Sequence, residues 1–268
     1  MSIPLDSYLI IIGAMKSGTT TLFDFMSQHP QIAASTVKEP DFFIEENGDF
    51  EVYQKLWDYD PALHRYAMEA STAYSKHPRF PGAAKRMLSL GLRPKFIYVL
   101  RNPFDRIESH YRFSREILGH KQSLGAESQI AISNYYLQLS QFLKCFERDR
   151  FLILRFEDLK NPQELAAKLG SFLQVKASLF PSLVSHANKT SERMMEKRLS
   201  RKPLVARVVA KMVPGPIKDQ FRKLLRDHVL SDGPKLSSAQ RAEIKEVLRP
   251  GMQQLREEFG VNISEWGF

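Results

Sequence analysis

At 268 residues with a single cysteine and 43% hydrophobic content, the chain can fill one large α/β domain, and it cannot carry an intrachain disulfide framework or a cysteine-built metal site. The formal charge of +9 sits in one stretch: between Arg193 and Arg226 eleven Lys and Arg stand against Glu196 and Asp219, and the rest of the chain sums to zero. Such a segment can attract nucleic acid, anionic lipid or a polyanionic substrate. There is no signal-peptide pattern and no apolar run long enough to span a bilayer, so the expected location is the cytoplasm.

The first element is a continuous apolar run, Tyr8 to Ile12, which reads as a buried strand of a parallel sheet. Gly13 and Gly18 bracket a turn, and a helix begins at Thr19 with Leu22, Phe23 and Met26 on one face. Strand, glycine turn and helix N-terminus together make an anion site, because free N–H groups and the helix dipole point into the turn. Pro30 ends the helix before a short strand, and residues 37–44 form a loop that lands on Phe42 and Phe43. Residues 51–63 are helical in part, and Tyr66 to Ala73 reads as a strand.

A helix is expected over Gly82–Leu90 with Gly91 as its C-cap, then a second buried strand over Pro94–Arg101. Pro103 opens a helix that runs to about Leu118. A longer helix covers Ile130–Arg148 and buries Cys145 beside Phe142 and Phe146. A strand at Phe151–Phe156 and a helix at Pro162–Leu173 complete an alternation that predicts a three-layer α/β fold with a central parallel sheet flanked by helices. Beyond a loop at residues 180–190 the basic segment is helical in pieces, broken by Pro214-Gly-Pro216, and Ser237 or Ser238 caps a last helix through Glu258. The organisation is one domain over residues 1–268 with the basic helical segment, about 193–226, within it.

Two motifs carry chemistry. Gly13-x4-Gly18-Thr19-Thr20 has Walker A spacing, but Thr19 occupies the lysine position and Lys16 lies inside the loop, which argues against an ordinary ATPase or kinase. Arg101 emerges where the second strong strand ends, and Ser109 follows in the next helix. An arginine fork and a hydroxyl can jointly hold a terminal phosphate. Arg106, His110 and Arg112 share that helix as supporting or surface groups, with helical spacing placing His110 near Arg106.

Gly13 to Thr20 resembles the 5′-phosphosulfate loop of the PAPS-dependent sulfotransferases (PAPS is 3′-phosphoadenosine 5′-phosphosulfate), and Arg101 with Ser109 resembles their 3′-phosphate motif. Lys38-Glu-Pro-Asp-Phe-Phe43 is similar to the Glu-x-x-Phe-Phe element of heparan-sulfate-type and bacterial carbohydrate members. Glu69-Ala-Ser-Thr-Ala-Tyr74 is similar to their Glu-x-Ser/Thr-Pro-x-Tyr element, with Thr72 in place of the proline. Arg155-Phe-Glu-Asp-Leu159 with Pro162, and Phe259 to Trp266, extend the resemblance over most of the chain.

The resemblance implies a P-loop-like fold and in-line transfer of a sulfuryl group from PAPS to a hydroxyl of a saccharide or glycolipid, without a metal. It implies PAPS contacts from Lys16, Ser17, Gly18, Thr19, Thr20, Arg101 and Ser109, and from Lys189 beside Thr190 in a late loop. Lys16 and Glu39 take the catalytic roles, Glu39 as base, and Glu39 and Glu69 face the acceptor, with Glu69 the competing base. The histidine-centred loop of the small-molecule cytosolic sulfotransferases has no counterpart here, so Glu39 is preferred over any histidine.

Rival readings stand beside this one. A kinase-like phosphotransferase lacks the Walker lysine and an evident acid for Mg²⁺. A non-catalytic basic module for nucleic acid or membrane would use Arg193–Arg226 alone; with the enzyme reading, no nucleic acid partner is expected and the segment is suited to peripheral contact with anionic lipid. Blander roles also exist. Glu39 can pair with Lys38 at the surface, Phe42, Phe43 and Tyr74 can be core rather than an acceptor channel, and Val205, Val208, Val209 and Met212 can be the apolar face of a solvated helix.

Overall fold

The protein is described here from a computed structural model, which covers residues 2–46, 48–119, 121–183 and 233–268. The basic segment 193–226, with Lys189 and Thr190, lies outside the described residues. Five strands form one sheet: β1 (Tyr8–Gly13), β2 (Ile32–Ala34), β3 (Tyr66–Ala70), β4 (Lys95–Leu100) and β5 (Phe151–Arg155). Their order is β2-β3-β1-β4-β5, and every neighbouring pair is parallel. All six residues of β1 are buried, as its unbroken apolar run demands of a central strand.

The side-chain alternation of β1 divides the core into two layers. Leu9 and Ile11 pack with α1 (Thr19–Met26) and α7 (Pro162–Leu173) on one face of the sheet. Tyr8, Ile10 and Ile12 pack on the other with α3 (Ala83–Ser89), α4 (Pro103–Phe113), α6 (Tyr135–Leu143) and α8 (Ser238–Phe259). The expected three-layer α/β architecture is therefore present. An aromatic cluster of Tyr8, Phe42, Phe43, Tyr53 and Trp57 closes the second layer near α2 (Phe50–Gln54), so the loop that carries Phe42 and Phe43 is pinned to the core.

The topology fixes where a ligand can sit. From β1 the chain builds β2 and β3 on one side and then returns to place β4 and β5 on the other. The order reverses at β1, and the carboxyl ends of β1, β3 and β4 open onto the crevice that this reversal creates. Local sequence enforces the turns there. Asn102 caps α4 by accepting from Phe104 N (3.0 Å), Asn161 caps α7 by accepting from Glu164 N (3.3 Å), and each is followed by a proline at the first helical position.

Four expectations are corrected. The single helix over Ile130–Arg148 is two, α5 (Glu127–Ser133) and α6, because Asn134 leaves the helical region and its side chain caps α6 by accepting from Leu137 N (3.2 Å). The strand over Tyr66–Ala73 stops at Ala70, and Thr72–Ser75 forms a 3₁₀ turn. The α-helix opened by Pro103 ends at Phe113 and continues as a wider π-turn over Ser114–Leu118. Cys145 is half-buried rather than buried, and it lies past the end of α6, which stops at Leu143. The final helix is capped as anticipated, with Ser237 and Gln240 forming a reciprocal capping box. Replacing Asn134 by Ala removes the α6 cap and is expected to lower stability by about 1 kcal/mol in urea unfolding.

Candidate active site

The turn between β1 and α1 is built around three left-handed or glycine-only residues: Gly13 (φ 145°), Lys16 (φ 71°) and Gly18 (φ 87°). At Gly18 a Cβ would lie 2.5 Å from Leu159 and 3.0 Å from Phe156, so both the backbone and the packing require glycine. Ala14 N donates to Val99 O (2.8 Å) and Ser17 N to Ala14 O (3.1 Å), which ties the turn to β4 and curls it on itself. The first-turn N–H groups of α1, starting with Thr19 and Thr20, have no intrahelical carbonyl to bond and point into the turn. Ser17 is fully buried at this point and its hydroxyl makes no hydrogen bond.

Arg101 follows β4 directly and reaches across to the same turn. Its Nη1 donates to Lys16 O (3.3 Å), its guanidinium lies 4.8 Å from the Phe156 ring centre, and its carbonyl accepts from Tyr135 OH (2.7 Å). Lys16 Nζ lies 4.5 Å from the centre of the Phe113 ring. Burial, then the charges of Arg101 and Arg112, bring the Lys16 ammonium down to about 8, with Glu39 acting in the opposite direction. Ser109 is half-buried on α4, the helix that β4 feeds.

Beneath these groups lies a charge that sequence reasoning placed at the surface or in support. Arg106 is fully buried, donating to Ser133 Oγ (2.8 Å) and Gln129 O (2.6 Å) and meeting His110 Nδ1 (3.4 Å). Burial first, then Arg106, Lys76, Lys16 and Arg79, hold His110 neutral down to about 3. The contact between His110 and Arg106 is the one that helical spacing predicts. The full burial of Arg106 is not, because nothing in the local sequence announces that Gln129 and Ser133 of α5 cover it.

The loop at residues 37–44 carries Glu39 in a left-handed conformation (φ 62°). Its carboxylate is partly exposed and pairs with Lys38 Nζ (2.7 Å), the surface pairing noted above. Glu69 is the penultimate residue of β3 and is fully buried; Oε1 accepts from Tyr53 OH and Tyr74 OH (both 2.9 Å) and Oε2 from Ser71 Oγ (2.5 Å). Desolvation raises its carboxyl to about 7 against these three hydrogen bonds. Phe43 and Tyr74 are core residues, while Phe42 is only partly buried. Among the described residues no three His, Cys, Asp or Glu side chains are grouped as a metal site would need, and no helix is long and apolar enough to cross a membrane.

A family model described as the sulfotransferase domain matches residues 6–255. The chain belongs to this family. The sulfotransferase domain is also similar to a membrane-associated sulfotransferase, kil1, of Dictyostelium discoideum, at 36% identity over 118 residues, covering 42% of this chain and 24% of that protein. It is 26% identical over 184 residues to a human heparan sulfate glucosamine 3-O-sulfotransferase 6, covering 62% of this chain and 52% of the relative. The chain thus spans about a quarter of the first and about half of the second. Among solved structures, a sulfotransferase from Alicyclobacillus acidocaldarius superposes with a TM-score of 0.68 at 21% identity, covering 98% of this chain and 99% of that one, which shows the shared fold.

Within the sulfotransferase domain the structure brings Lys16, Ser17, Gly18, Thr19, Thr20 and Arg101 around one turn, with Ser109 on the adjoining helix; Lys189 lies outside the described residues. Glu39 is near enough to that turn for its charge to act on Lys16, and the two acids lie in different environments, Glu39 at the surface and Glu69 sealed. Sequence reasoning missed the two rings, Phe113 and Phe156, that carry the cations. Both lie inside or beside quoted motifs, and an aromatic next to a buried cation was the available signal.

The neutral His110 generates a stability test. An unfolded histidine takes up a proton below about 6.5 while the folded one does not until about 3, so its contribution is present at neutral pH and is lost as pH falls through that window. His110→Gln is expected to flatten the urea-unfolding stability profile between pH 6 and 4 by up to about 1.4 kcal/mol per pH unit. An unchanged slope would contradict a neutral buried histidine.

Proposed function

We propose that the chain is a sulfotransferase that moves a sulfuryl group from PAPS to a hydroxyl of a saccharide or glycolipid. The observation that carries this reading is the meeting of Arg101 with the Lys16 turn at the N-terminus of α1, beside the buried, unpartnered Ser17 hydroxyl. Two cations, first-turn N–H groups and an unused hydroxyl suit an anionic nucleotide end, so the residues present fit the donor. The family model and the named activities of the relatives support the same chemistry, and the human relative's saccharide acceptor supports the acceptor class.

In this reading Arg101 and Ser109 hold the 3′-phosphate. Lys16, Ser17, Gly18, Thr19 and Thr20 hold the 5′ end and neutralise the charge that collects on the 5′-phosphate oxygen as its bond to sulfur breaks. Glu39 removes the proton from the acceptor hydroxyl as the new oxygen–sulfur bond forms. Glu39 has to exchange its ion pair with Lys38 for that proton, and its partly exposed carboxylate leaves it free to do so. Lys189 is assigned to the donor on the resemblance of its loop. In this reading residues 1–268 form one sulfotransferase domain working in the cytoplasm, with the basic segment 193–226 available to gather an anionic acceptor or touch an anionic membrane.

Calorimetry with adenosine 3′,5′-bisphosphate tests the donor site, with ATP and Mg²⁺ as comparator. Micromolar binding of the bisphosphate that weakens at least tenfold in Arg101→Ala is expected; preference for ATP would overturn the reading in favour of a kinase-like enzyme. For the transfer step, Glu39→Gln is expected to reduce turnover of PAPS with a saccharide acceptor by about 10²–10⁴-fold while bisphosphate affinity stays at the wild-type value.

A further inference from the structure

Glu69 lies one residue before the end of β3, at the foot of the loop that carries Glu39. Its carboxylate is fully buried, and among the described residues no basic side chain forms an ion pair with it. Three hydroxyls donate to it instead, from Tyr53, Ser71 and Tyr74. Two of those hydroxyls continue outward. Ser71 Oγ accepts from Asp41 N (3.0 Å), and Tyr74 OH accepts from Phe43 N (3.3 Å). A hydroxyl has one hydrogen, and here it is committed to the carboxyl group of Glu69, so its lone pairs are left for the loop amides.

Those two amides lie at the end of, and just after, the backbone most in need of restraint. Glu39 (φ 62°) and Asp41 (φ 52°) are both non-glycine residues in the left-handed region, and Pro40 between them further biases Glu39 toward extended backbone. Conformations of this kind persist only where the surroundings hold them. We propose that Glu69 is a positioning residue which, through Ser71 and Tyr74, holds the turn Glu39-Pro40-Asp41 in its left-handed form and so sets where the Glu39 carboxylate stands. The tether explains why an acid is spent in a sealed pocket at the end of β3: it links the sheet to the loop that carries the reacting carboxylate. Tyr53 donates to the same carboxylate but passes no hydrogen bond on to a loop amide among the described residues; its link to the loop is the packing of its ring on Phe42 and Phe43, which Tyr53→Phe keeps.

The functional weight of the tether rests on Glu39 being the base, but the tether itself is read without any substrate. Amide hydrogen exchange by NMR is followed at Asp41 and Phe43 in the unliganded full chain, with bisphosphate calorimetry on the same samples. Ser71→Ala is expected to speed exchange at Asp41 at least tenfold and Ser71→Thr, which keeps the hydroxyl, to restore it. Tyr74→Phe, which keeps the ring, is expected to do the same at Phe43 alone. Glu69→Gln should loosen both, Tyr53→Phe neither, and bisphosphate affinity should stay within twofold throughout. Should Glu69→Gln fail to fold, the Ser71 and Tyr74 variants still decide. Unchanged exchange at Asp41 and Phe43 in folded variants, or a uniform rise that extends through β1, would overturn the tether. Absence of bisphosphate binding in the wild type would instead overturn the donor site.

Discussion

Positive charge gathered at the carboxyl ends of β1 and β4 is the constraint on which the rest of the site depends. Lys16 and Arg101 meet at one turn, and Arg106 is sealed beneath them with neutral partners: a serine hydroxyl, a carbonyl and a histidine nitrogen. Burying cations this way costs folding energy unless something offsets it. The depressed ammonium of Lys16 and the neutral His110 are the local signs of that cost. Phe113 and Phe156 offset part of it by presenting ring faces to Lys16 and Arg101. A bound dianion would offset far more, which is why a site of this construction is suited to a phosphorylated nucleotide.

The scaffold exists to hold those charges at fixed separation. β1 is buried on both faces and sits between β3 and β4, so the ends of all three strands have little freedom relative to one another. β4 delivers Arg101, β1 delivers the Lys16 turn, and β3 delivers Glu69 with the hydroxyls that reach the Glu39 loop. Neighbouring strands of one sheet thus supply the Lys16 turn, Arg101 and the anchor of the Glu39 loop. The same logic places α5 over Arg106 of α4, with Asn102 fixing where α4 begins and Asn134 where α5 ends.

Much of this was legible in the sequence because its signals are local. The apolar run of β1, the glycines at 13 and 18, and the Asn-Pro pairs at 102–103 and 161–162 each declare a strand, a turn or a helix start through chemistry contained in a few residues. What was not legible depends on contacts distant in the chain. The break at Asn134 is invisible in a hydrophobic pattern that continues through it. Arg106 reads as a surface cation until α5, more than twenty residues later, covers it. Glu69 reads as an acceptor group because its motif sits near the site, and only the burial of Tyr53 and Tyr74 around it reveals a sealed carboxylate. Lys189 and the basic segment 193–226 fall outside the described residues, so their roles rest on sequence alone.

The central claim is that Lys16, held with a lowered affinity for its proton, regains it when an anionic nucleotide settles in the turn. Isothermal calorimetry of adenosine 3′,5′-bisphosphate at pH 8.5, run in buffers of different ionisation enthalpy, counts the protons taken up on binding. The Lys16 ammonium titrates at about 8 in the free protein, so binding is predicted to take up a substantial fraction of one proton, and Lys16→Met is predicted to abolish that uptake and weaken binding. Tight binding with no proton uptake, or uptake that survives in Lys16→Met, would contradict the account.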